Sequence, residues 1–94
     1  MLNNSKQTNA KIVNMRHEYD PFLICTLESG VKFVMFDGEM AENDYYELLN
    51  NIQNYIFSND RNALYFFGTE WAYGKYKEKN PYTESVYVNI TKVL

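Results

Sequence analysis

The stretch "FLICTLESGVKFVMF", residues 22–36, constrains the fold of this chain more than any other. Two apolar, β-rich runs flank Ser29-Gly30, and an Xaa-Gly pair between such runs predicts a tight hairpin. With a two-residue turn, Glu28 lies opposite Val31. Thr26 then pairs with Phe33, Ile24 with Met35, Cys25 with Val34 and Leu23 with Phe36. Directly opposed residues point to the same side of a sheet. One face therefore carries Phe22, Ile24, Thr26, Val31, Phe33 and Met35. The other carries Leu23, Cys25, Leu27, Val34 and Phe36, with Lys32 near its edge. An antiparallel sheet with one side in water alternates apolar and polar residues. This hairpin is apolar on both sides, so both sides have to be covered.

The sequence offers one obvious cover. Tyr45, Leu48, Leu49, Ile52, Tyr55 and Ile56 form a single apolar stripe at a period of 3.6, which predicts a helix over about 41–57. Asp44 with Glu47 reads as a capping box, and Asp37 as the cap of an earlier start near Glu39. "SND" at 58–60 ends the helix. Some fifteen residues would span roughly 22 Å at 1.5 Å each. A six-residue strand spans roughly 20 Å, so the helix can lie along the sheet.

Strands are expected at 11–19, 22–28, 31–36, 62–68 and 84–94, with "EWAYGKY" (70–76) as a further strand and "DP" (20–21) as a turn. The resulting order, β-β-β-α-β-(β)-β, is a two-layer α+β fold, with an antiparallel sheet of five to six strands and one helix. One helix leaves a face uncovered. The sheet could curl into a half-barrel, the 69–83 segment could fold over it, or a second chain could pack there. The last case would make Phe22, Ile24, Phe33 and Met35 an interface.

Ninety-four residues make one domain, here 10–94, preceded by a polar, aperiodic stretch at 1–9 that reads as a flexible arm. The net charge is −3 and the only arginines are Arg16 and Arg61, which disfavours generic binding to duplex DNA. Cys25 is the only cysteine, so no internal disulfide can form. No apolar run approaches the roughly 18 residues of a membrane span. The first residues lack the basic-then-apolar pattern of a signal peptide. A cytoplasmic setting without membrane contact is the expectation.

Catalytic chemistry finds little to work with. His17, beside Arg16, Glu18 and Asp20, reads as a solvated strand-end residue rather than a general base. Cys25, between Ile24 and Thr26, reads as a small core residue rather than a nucleophile. One His and one Cys cannot supply the three or four ligands of a zinc site. Asp37, Glu39, Glu42 and Asp44 lack EF-hand spacing and suit the start of a helix. Four glycines leave no phosphate-cradling loop. No enzyme activity, metal or cofactor is expected.

"TEWAYGKYKEKNPYTE" (69–84) is the stretch that invites a functional reading. Trp71, Tyr73, Tyr76 and Tyr82, with Lys75, Lys77 and Lys79, could stack on single-stranded bases and neutralise phosphates. Glu70, Glu78 and Glu84 interrupt that charge, and no arginine is present. The same aromatic residues are the usual anchors of protein interfaces. As a strand, 70–76 would place Trp71, Tyr73 and Lys75 on one side and Ala72, Gly74 and Tyr76 on the other.

In size, acidity, tyrosine content and lack of catalytic motifs the chain resembles phage-encoded inhibitors of host defence, anti-CRISPR proteins among them. That resemblance is one of type and implies no site residues. The function expected is a non-enzymatic inhibitor or regulator that binds another protein through 71–82. A single-stranded nucleic-acid binder and a self-associating subunit are the alternatives.

Overall fold

The structure, a computed structural model, describes residues 12–19, 22–36, 42–59 and 61–94. The expected arm at 1–9, the Asp20-Pro21 turn and the cap at Asp37 lie outside these residues. Strands β1 (Ile12–Tyr19), β2 (Phe22–Leu27) and β3 (Lys32–Phe36) are followed by helix α1 (Glu42–Asn59). Strand β4 (Leu64–Gly68), helix α2 (Glu70–Lys79), strand β5 (Ser85–Asn89) and a 3-10 turn at Ile90–Lys92 complete the chain. The five strands form one open sheet in sequential order, β1-β2-β3-β4-β5. The fold is α+β, as its pattern of elements implies.

The hairpin turn is one residue longer than Ser29-Gly30 alone suggests. The Gly30 amide donates to the Leu27 carbonyl at 2.8 Å, and the Leu27 amide donates to the Val31 carbonyl at 2.8 Å. The loop is therefore Glu28-Ser29-Gly30, a turn closed by a left-handed residue, and Gly30 supplies it with φ at +94°. Every pairing moves by one residue: Thr26 faces Lys32, Cys25 faces Phe33, Ile24 faces Val34 and Leu23 faces Met35. A slip of one residue turns a whole strand over. Phe33 and Met35 thus share a face with Leu23, Cys25 and Leu27, while Val34 joins Phe22.

The sheet is mixed, not antiparallel. β1, β2 and β3 are antiparallel neighbours, but β4 runs parallel to β3 and β5 runs parallel to β4. Adjacent parallel strands need a crossover of a dozen or more residues, usually through a helix. α1 supplies the first crossover and α2, where a fifth strand was expected, supplies the second.

Each helix covers one face. Leu48, Leu49 and Ile52 of α1 pack on Leu23, Cys25, Leu27, Phe33, Met35, Tyr65, Phe67 and Val88, with Tyr55 and Ile56 at the margin. This is the predicted stripe, apart from Tyr45, whose side chain lies outside the description. Asp44 falls inside α1 and is not its cap. On the opposite face, Ala72 and Tyr76 of α2 pack on Phe22, Val34 and Phe66. The architecture is helix, sheet, helix: three layers rather than two. Phe22 and Phe33, expected on one open face, are buried on different ones, and Met35 is buried beside Phe33.

The two crossovers step across the sheet in the same direction, from β3 to β4 and from β4 to β5, yet pass over opposite faces. Reversing the face at constant direction reverses the hand, so one crossover is left-handed. Nearly all crossovers of this kind are right-handed.

Candidate docking surface

α2 begins abruptly because its cap is strong. Thr69 is extended, with φ −99° and ψ 163°, and its Oγ1 accepts from the Ala72 amide at 3.1 Å. That bond satisfies one of the orphan amides of the first turn. Glu70 in the first turn and Lys77 and Lys79 in the last place charge of the favourable sign at each end of the helix dipole. At the C-terminus the Asn80 amide and its Nδ2 both donate to the Tyr76 carbonyl, each at 3.0 Å. Pro81 follows, where the helix can no longer continue. Lys77 Nζ donates to the Thr83 carbonyl at 2.7 Å and ties the turn back to the helix.

The inner side of α2 is aromatic. The Tyr76 ring lies 5.9 Å from Phe22 and 5.2 Å from Phe66, centroid to centroid. Tyr73 stacks on Tyr87 at 5.2 Å, and its hydroxyl sits 3.0 Å from Ser85 Oγ. Rings at these distances add attraction beyond the area they bury. Tyr76 is buried and Tyr73 half-buried, so neither is free to grip a partner.

The outer side keeps Trp71, Lys75, Glu78, Lys79 and Gly74 exposed. Trp71 is 63% exposed, and Lys75 Nζ sits 5.8 Å from the centre of its ring, within cation–π range. Lys75 also reaches Glu78 at 4.0 Å. A Cβ added at Gly74 would meet nothing within 4 Å. Tyr82, in the turn beyond the helix, is 98% exposed. The eight residue steps from Trp71 to Lys79 amount to about 12 Å of helix, along which Lys75, Glu78 and Lys79 stay exposed; Tyr82 follows three residues beyond its end. Of the seven residues that the sequence nominates, Trp71, Lys75, Lys79 and Tyr82 face outward. Lys77 is engaged with Thr83, and Tyr73 and Tyr76 turn inward. No strand alternation exists here; helical spacing sorts the residues instead.

Elsewhere, Phe22, Ile24, Phe33 and Met35 do not form one surface: they are divided between two faces and lie under helices. Cys25 is fully buried. His17 stands opposite Leu23 in the β1–β2 register. Among the described residues no group of three or more His, Cys, Asp or Glu side chains could hold a metal ion, and no helix is long and apolar enough to cross a membrane. Among the described residues, two shallow grooves lie at the surface. One runs between α1 and the last residues, along Asn51, Tyr55 and Val93. The other lies beside Gly30, Lys32, Arg61 and Glu84. Neither is legible in the residues alone, because each joins segments far apart in the chain. The chain matches no known family model, no curated protein and no solved structure, so its function has to be read from its own surface.

Proposed function

We propose that the chain is a non-enzymatic protein-binding module, an inhibitor or regulator of another protein, and that it docks through the outer side of α2 and the turn after it. One observation carries this reading. Trp71 is left largely bare on a helix that is capped at both ends and pinned from beneath by Tyr76. A rigid aromatic anchor costs little entropy to immobilise, and Trp and Tyr dominate the energetics of protein interfaces. Tyr82 supplies a second anchor, and Lys75, Glu78 and Lys79 supply a polar rim of mixed sign. The rim suits a protein partner better than a phosphate chain, which needs charge of one sign. Single-strand binding also loses two of its four stacking rings, since Tyr73 and Tyr76 face the sheet.

The test is capture of partners from cells of the natural host by the wild-type chain and by a Trp71→Ala/Tyr82→Ala variant. Removing two anchors should weaken binding of the captured protein by about thirtyfold or more while the melting temperature stays unchanged. Equal capture by both chains would remove this surface from consideration. Oligonucleotide binding that weakens with salt at a log–log slope of about −0.7 per contacted phosphate would replace the reading with the nucleic-acid one.

A further inference from the structure

The two edges of the sheet are guarded unequally. β1 breaks register twice, between Ile12 and Asn14 and between His17 and Tyr19, and its sequence includes Arg16, His17 and Glu18. Irregularity and charge are the devices that keep a foreign strand off an edge. β5 has neither. It pairs with β4 without interruption from Ser85 to Asn89, holds no charged residue and no proline, and has no strand beyond it among the described residues.

Its sequence, Ser-Val-Tyr-Val-Asn, has the same polarity read in either direction. Antiparallel pairing centred on Tyr87 sets Ser85 opposite Asn89, Val86 opposite Val88 and Tyr87 opposite its own copy. The valines then extend the apolar layer under α1, where Val88 is already buried and Val86 packs at the margin. The tyrosines extend the aromatic layer under α2. A strand that matches itself in this way is what a twofold interface requires.

We propose that two copies of this chain join β5 to β5 about a twofold axis at Tyr87, making one continuous sheet through edge pairing. The layer above can accommodate this arrangement. α2 contacts both β4 and β5. With strands about 4.8 Å apart, a helix over the β4–β5 gap lies about 10 Å from its twofold copy. That is the distance at which helices pack. The axis stands normal to the sheet, so both α2 helices lie on the same side. The pairing does not depend on the docking surface proposed above, but it would make that surface bivalent.

Sedimentation equilibrium of the intact chain over micromolar to millimolar concentration tests the pairing. The mass should rise with concentration toward twice the 11.2 kDa of one chain. Ser85→Lys/Asn89→Lys sets like charges opposite each other at both ends of the strand pair. Ser85→Lys/Asn89→Glu sets opposite charges at the same places. Both variants lose the Tyr73–Ser85 contact; Asn89→Lys also removes the acceptor of the Thr91 amide, which Asn89→Glu can keep, so the Asn89→Lys and Asn89→Glu single variants, each measured alone, separate that loss from pairing across the axis. The first double variant should dissociate and the second should not, with dimer dissociation constants at least about tenfold apart. A wild-type mass fixed at one chain overturns the proposal, and so does any result in which the two double variants behave alike.

Discussion

α1 presses Leu48, Leu49 and Ile52 onto one face of the sheet; α2 presses Ala72 and Tyr76 onto the other. The first contact is a broad aliphatic stripe along an eighteen-residue helix. The second belongs to a ten-residue helix with only two buried residues, and it depends on ring packing and on capping at both ends. The outer side of α1 also shows aromatic rings, Tyr46 and Phe57, but they stand eleven residues apart on a helix seated by its stripe. Burial by a few rings lets a short helix display a bare Trp71 a turn away from a buried Tyr76. The contrast shows that a face can be closed by a segment whose overall pattern is polar, provided its ends are satisfied and its few apolar contacts are large.

The comparison can be broken most directly at Tyr76. If α2 is a true layer, Tyr76→Ala should cost about 3–5 kcal/mol, the range for buried aromatic truncations. A loss far below that in chemical denaturation would mean that α2 is an ornament on a sheet stable without it. Ile52→Ala should cost about 2–5 kcal/mol through the α1 face. Either loss takes a large share of a stability of roughly 5–15 kcal/mol. A wild-type melting curve for Ile52→Ala would show that α1 is not seated by its stripe.

Capping is the next smaller effect. Thr69→Ala removes the acceptor of the Ala72 amide and should cost about 0.5–2 kcal/mol. Amide exchange in the first turn of α2 should quicken at the same time, while α1 keeps its protection. Uniform quickening over both helices would show that the two faces are one cooperative unit. The smallest effect has the opposite sign. Gly74 lies inside α2 with open space around it, so Gly74→Ala should stabilise the chain by about 0.5–1 kcal/mol, read as a raised melting temperature. If the same change weakens partner capture, Gly74 marks a point of close approach on the docking surface; if capture is untouched, the contact lies at Trp71 and Tyr82 alone.

Parts of this arrangement are legible in the residues and parts are not, for reasons that can be named. α1 is legible because its stripe runs over three turns and repeats at helical period. The hairpin is legible, but its register is not. Gly30 announces a turn without saying whether two residues or three form it, and a strand apolar on both sides suffers no obvious penalty when it slips by one. α2 hides because Trp71, Tyr73 and Tyr76 suit a strand as well as a helix, and Gly74 weakens either reading. Its signals lie at its ends, in Thr69, Glu70, Lys77 and Lys79. Missing that helix also hides the parallel pairing of β5, because the helix is the crossover. The proposed docking surface follows the same rule. Its residues can be named from composition, but only helical spacing tells Trp71 from Tyr76.

The sequential strand order has a consequence for how the chain is built. No strand has to be inserted between two others that are already paired. A chain emerging from synthesis can form the β1–β2–β3 meander first and then add each new strand at the one edge still growing. β4 waits for α1, and β5 waits for the ten residues of α2, so the slow steps are the two loop closures that bring parallel strands alongside. Throughout, the growing edge is an open template. Completion of β5 does not close it: among the described residues no strand lies beyond β5.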